Sequence, residues 1–100
     1  MQAMKFFIDV HDARSKTFPS GLDQQQFHDF FVKYEKECRK LGVVVLRTHV
    51  GLEEGRAYCF NMAASADLVK KAHDAAGLPF ESITEVTTAT PGDLFFRPAA

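Results

Sequence analysis

The sequence predicts an α+β sandwich of order βαββαβ, a four-stranded antiparallel sheet with two helices on one face. Three observations predict it. Four short segments carry strand-like alternation or β-branched runs, and two longer segments repeat apolar residues at steps of three and four. Glycine, proline and small polar residues separate them at each join. At 100 residues the chain is one domain (1–100), with a core over 4–88 and an apolar C-terminal tail over 91–100.

Met4 to Val10 alternates as a first strand, with Phe6, Ile8 and Val10 on one side and Phe7, Asp9 and His11 on the other. A polar stretch from Asp12 to Thr17 and the Pro19-Ser20-Gly21 step make a loop. The first helix follows, with Asp23 or Ser20 as N-cap and Gln26 completing a capping box after Asp23. Its apolar stripe is Phe27, Phe30, Phe31, Tyr34, Cys38 and Leu41. Lys36, Arg39 and Lys40 complement its negative end, and Gly42 stops it. Val43 to Val50 is a β-branched second strand. Gly51 to Gly55 is a hairpin loop, and Arg56 to Met62 is the third strand. Ser65 caps the second helix, Asp67 supports its positive end, and Gly77 and Pro79 end it. Its stripe of Leu68, Val69, Ala72 and Ala76 is narrow and small. Ile83 to Thr88 is the fourth strand, and Thr90-Pro91-Gly92 breaks it before the apolar Leu94-Phe95-Phe96.

This order is the split βαβ, ferredoxin-like arrangement, and short right-handed connections leave few alternatives. Both helices cover one face of the sheet and leave the other open. The strand alternation assigns Phe7, Asp9 and His11 to the open face. Large exposed apolar patches are rare in monomers, so a homodimer through that face is expected. The other outcome is the Leu94-Phe95-Phe96 tail folding back over its own sheet.

Bulk properties exclude several classes. The formal net charge is −1, and basic residues do not interleave with aromatics on the strands, so no nucleic-acid partner is expected. The longest apolar run, Gly42 to Leu46, is far too short for a bilayer, so no membrane partner is expected. The N-terminal residues lack the layout of a signal peptide, and the expected location is the cytoplasm. There Cys38 and Cys59 are expected as free thiols.

The chemistry-bearing residues are His11, His28, His49 and His73, with Cys59 as a fifth candidate. Imidazole and thiolate are donors that transition metals prefer. The topology sends all five toward one end of the fold: His11 at the end of the first strand, His28 and His73 in the upper halves of the helices. His49 lies near the hairpin and is expected in solvent. The faces do not all agree, so two smaller sites fit better than one site with every ligand. Asp9 and Asp12 stand near His11, and an acceptor beside an imidazole fixes its tautomer and raises its basicity. No closely spaced Cys or His pair of zinc-finger type occurs. Cys59 has no nucleophile motif around it, the glutamates are scattered, and no glycine-rich phosphate loop is present.

Several short motifs recur together: Asp9-Val10-His11, His28-Asp29, Gly42-Val43, Gly55-Arg56-Ala57-Tyr58-Cys59, His73, Ala76-Gly77-Leu78-Pro79 and Glu85-Val86. In order and spacing they resemble the small nickel-binding-protein-like domain family of unknown function, over roughly Met4 to Val86. The resemblance implies a ferredoxin-like homodimer and, in part of the family, nickel binding. It implies His11, His28, Cys59 and His73 as metal-capable positions. The chain departs from the pattern at Met62-Ala63-Ala64-Ser65, where relatives often place an acidic residue, and at His49, where they tend to carry tryptophan.

The expected function is therefore a non-enzymatic metal-binding domain, taking nickel or another divalent transition metal. The alternative is a dimeric α/β-barrel enzyme or small-ligand binder using the open sheet face, with Phe7, Asp9, His11 and Cys59 lining a chamber. A third reading is an interaction module using the Leu94-Phe95-Phe96 tail.

Overall fold

The computed structural model describes residues 3–91; Leu94, Phe95 and Phe96 lie outside the described residues. The elements are β1 (Lys5–Asp12), a 3-10 turn at Ala13–Ser15, α1 (Gln24–Lys40), β2 (Val44–Gly51), β3 (Arg56–Ala63), α2 (Ala66–Ala76) and β4 (Ser82–Val86). The sheet order is β2-β3-β1-β4, and every neighbouring pair is antiparallel. The ferredoxin-like order expected from the sequence is the observed one, with strand ends displaced by one or two residues.

Local chemistry sets the boundaries. The Asp23 side chain accepts from the Gln26 amide at 2.8 Å, and the Gln26 side chain accepts from the Asp23 amide at 3.0 Å. These two bonds satisfy donors that the first turn of α1 would otherwise leave unmade. Ser65 occupies the N-cap position of α2 without a side-chain capping bond. Gly77 ends α2 in the left-handed region at φ 71°, a conformation that costs glycine little. The chain then doubles back: the Leu78 amide donates to the His73 carbonyl at 2.9 Å. That reversal carries Pro79 toward the end of β1.

Both helices pack on one face of the sheet, over a core of Phe7, Tyr34, Cys38, Val43, Ala63, Val69, Ala72 and Ala76. This reverses the face assignment made from the β1 alternation. Phe7, Asp9 and His11 are buried beneath the helices, and Phe6, Ile8 and Val10 face the open side. The register with β3 explains the choice. Phe7, Asp9 and His11 pair with Asn61, Cys59 and Ala57, whereas Phe6, Ile8 and Val10 pair with Met62, Phe60 and Tyr58. Small side chains on β3 let the helices approach closely, and the bulky set is left outside. The chamber imagined on the open face with Phe7, Asp9, His11 and Cys59 as its lining is thus excluded; those residues point the other way.

The open face is strongly apolar. Phe6 and Phe60 stack with ring centroids 5.7 Å apart, and the Arg47 guanidinium lies 4.8 Å over Phe60. Phe6 and Tyr58 are each 39% exposed and Val44 43%. No helix covers this face among the described residues.

Candidate metal centre

β1 is an inner strand, and position 9 falls near its middle with no solvent exposure. Two residues on, His11 shares its face. From the helix layer, the last turn of α2 presents His73, also fully buried. Asp9 Oδ1 lies 2.8 Å from His11 Nε2 and 3.0 Å from His73 Nε2. Its other oxygen, Oδ2, accepts from Asn61 Nδ2 at 2.6 Å. One carboxylate oxygen therefore stands between two imidazole nitrogens.

The far side of each ring is also fixed. His11 Nδ1 is 2.7 Å from the Pro79 carbonyl, and His73 Nδ1 is 2.8 Å from the Val69 carbonyl. Carbonyl oxygens only accept, so each Nδ1 carries its hydrogen and donates. Both Nε2 atoms then converge on Asp9 Oδ1. With neutral rings, two nitrogen lone pairs meet an oxygen lone pair; a proton on each ring, or a cation among the three atoms, relieves this. Aromatic packing holds the rings in place. His11 and His73 stack at 5.2 Å, Tyr34 tilts against His73 at 4.5 Å, and Phe80 meets His73 edge-on at 5.2 Å.

The electrostatics follow the contacts. Burial alone would raise the Asp9 pKa, but the hydrogen bonds and charges of His11 and His73 outweigh it and pull the value from 3.8 to about 2. Burial alone would lower His11, but its bond to the Asp9 carboxylate outweighs that and raises it above 6.5. Burial pushes the Tyr34 hydroxyl and the Cys59 thiol upward, so both stay neutral. The Thr48 hydroxyl donates to Cys59 Sγ at 3.4 Å. In the shell of the cluster, Tyr34 Oη and Asn61 Oδ1 are buried and lack hydrogen-bond partners among the described residues.

The donor set fits a transition ion. Asp9, His11 and His73 each offer one atom, and these atoms all lie within 4.8 Å of one another. A ligating histidine usually donates its other N–H to a carbonyl or carboxylate, and both histidines here do so.

Of the candidates named from sequence, the structure brings His11 and His73 together. Cys59 is buried opposite Asp9 in the β1–β3 register, outside the group of three. His28 is exposed on α1, 3.6 Å from Asp29, and belongs to no such group among the described residues. His49 is exposed opposite Tyr58 on the open face. Asp9 was legible as an acceptor beside His11, but its sharing between two imidazoles was not. Asn61 went unrecognised; its signal is its position two residues beyond Cys59, on the same face of β3.

The family model described as nickel responsive protein, SCO4226-like, matches residues 7–86. The chain belongs to this SCO4226-like family. The resemblance traced in the sequence over Met4 to Val86 leads to the same place, and all three members of the cluster lie inside the matched span. The crystal structure of SCO4226 from Streptomyces coelicolor A3(2) aligns with a TM-score of 0.73 and 24% identity, covering 85% of this chain and 99% of that one. At that identity the likeness shows the shared fold. No curated protein matches the chain.

Proposed function

We propose that the protein binds one nickel or similar divalent transition ion per chain through His11 Nε2, His73 Nε2 and an oxygen of Asp9. The observation that carries this reading is the pair of Nδ1–H bonds to the Pro79 and Val69 carbonyls, which turns both Nε2 atoms toward one carboxylate oxygen. Asn61 steadies the carboxylate through its free oxygen. The family name, nickel responsive, supports the metal's identity. Two imidazoles and a carboxylate are also a ligand set for Fe(II), so both metals belong in the test.

The protein is also proposed to act as a homodimer through the open sheet face and to work in a reducing, cytoplasmic setting, in keeping with its two free cysteines.

Calorimetry of chelator-stripped protein with Ni(II), and with Fe(II) under argon, tests the metal reading. One ion should bind per chain, well below millimolar. His11→Ala and His73→Ala should each weaken binding by at least ~100-fold, and Asn61→Leu by about 10–100-fold, as expected for an outer partner. His28→Ala should change nothing. Equal affinity in wild type, His11→Ala and His73→Ala would remove the assignment.

A further inference from the structure

The first half of α1 carries more apolar surface than the protein covers. Phe27, Phe30 and Phe31 lie on the stripe that should be buried, yet only Tyr34 and Cys38 of α1 are. Phe30 is 38% exposed, and Phe27 and Phe31 are half-buried with stacked rings 6.1 Å apart. These side chains face a cleft of about 520 Å³, closed by the 13–22 loop, β3 and the segment after α2. That volume is within the roughly 300–1,000 Å³ range of small-molecule sites. His11, His73 and Cys59 also line it.

The charge of the lining is one-sided. Lys16, on the loop, is exposed, and no Asp or Glu lines the cleft among the described residues; Asp9 is not part of its surface. An anion at the rim therefore meets Lys16 and no carboxylate; beneath the floor the Asp9 carboxylate stands 2.8 Å from His11 Nε2 and 3.0 Å from His73 Nε2, and an ion held among them would offset its charge.

We infer that this cleft binds a flat, largely apolar molecule, aromatic or cyclic, bearing a single anionic oxygen head that reaches the His11–His73 floor. The phenylalanines take the apolar body by stacking and burial. A three-ligand ion leaves coordination positions open, and the head would occupy one. The position of the head rests on the metal reading; the binding of the body does not.

The test uses 1-naphthoate as probe and 1-naphthylmethylammonium as its cationic counterpart, on the full chain. Binding is followed by calorimetry and by amide chemical shifts, first metal-free and then nickel-loaded. Naphthoate should bind the metal-free protein saturably, at least tenfold tighter than the cation. Its shifts should fall on Phe27 to Phe31 and on Leu78, and nickel should tighten it about tenfold. Leu22→Trp, which fills the cleft from the loop, should weaken naphthoate at least tenfold. If that variant does not fold, the wild-type shift map decides. No saturable binding up to millimolar, equal binding of the cation, or shifts confined to Phe6 and Tyr58 on the open sheet face would overturn the inference. Naphthoate bound in the cleft of a protein that takes up no nickel would leave the cleft assigned and the metal reading refuted. Nickel bound without naphthoate would do the reverse.

Discussion

At the residue scale, Asp9 is the hinge of the site because one of its oxygens serves two imidazoles and the other serves Asn61. Asp9→Asn keeps the volume and removes the charge. Metal-free, it should lose about 3 kcal/mol of stability at pH 5.5, where a buried imidazolium is left without its counter-ion. The loss should shrink at pH 8.5, where the ring can become neutral; urea unfolding at the two pH values measures the difference. The wild type has its own pH signature. His11 has a folded pKa above its ordinary 6.5, so its contribution is complete below that pH and is lost as pH rises through the folded value. Asp9 is depressed to about 2 from 3.8, so its contribution is present above the ordinary value and is lost as pH falls toward 2. The metal-free protein should therefore be most stable between roughly pH 4 and 6.5. Nickel needs the Nε2 lone pairs free, so its stabilisation should grow as pH rises through the His11 value and move the optimum upward. Thermal melts across pH with chelator and with nickel give the two curves; parallel curves would show that the ion does not displace protons from these rings.

At the element scale, most of the fold was legible and one assignment was not. The Asp23–Gln26 box, Gly77 and the two-glycine hairpin fixed where α1, α2 and the β2–β3 turn begin and end, because each rests on local chemistry. The face of β1 is decided by its neighbours. An all-apolar Phe6, Ile8, Val10 set looks like core when that strand is taken alone. The β3 pattern, small at Ala57, Cys59, Asn61 and Ala63 and bulky at Tyr58, Phe60 and Met62, held the answer, because close helix packing selects the small side. The convergence of His11 and His73 was half legible: the topology placed both at one end, but the shared carboxylate needed the register and the Gly77 reversal. Gly55 shows a further coupling between elements. Its φ is +70°, and an added Cβ would stand 2.9 Å from Ala13 Cβ. Its carbonyl accepts from the Ala13 amide at 2.8 Å, tying the hairpin to the loop that closes the cleft. Gly55→Ala should cost about 2 kcal/mol, from left-handed strain and the displaced contact. Hydrogen exchange should show the 13–17 segment opening more readily in that variant; unchanged exchange would mean the hairpin does not hold the loop.

At the scale of the whole molecule, the reversed faces make the case for a second copy stronger than the original alternation did. Phe6, Ile8, Val10, Tyr58, Phe60, Met62 and Val44 lie on one side of the sheet, and none is covered by a helix. Within the chain Phe60 is buried and Ile8, Val10 and Met62 are half-buried, with Thr87 to Ala89 lining a cleft beside Ile8 and Phe60, while Phe6, Tyr58 and Val44 stay exposed; leaving these in water forfeits about 25 cal/mol for each Å² of apolar surface that could be buried. A lone copy would present a patch of the kind that marks an interaction surface. The face is also suited to its own copy: among the described residues its charges are Arg47, which already lies over Phe60, and the Asp12–Arg56 ion pair at one end, with His49 at its edge. The wild type should sediment as a dimer at ~10 µM, and Phe6→Lys with Tyr58→Lys should convert it to a monomer, since two buried like charges per copy oppose closure. The proposed metal centre lies on the other side of the sheet, so nickel affinity should change less than about threefold on dissociation, within the usual independence of distant sites. A monomeric wild type would show that the face is covered in some other way. A monomeric double variant that also loses nickel would show that pairing and metal binding are one event, with the sheet itself transmitting the strain between Phe6 and Asp9.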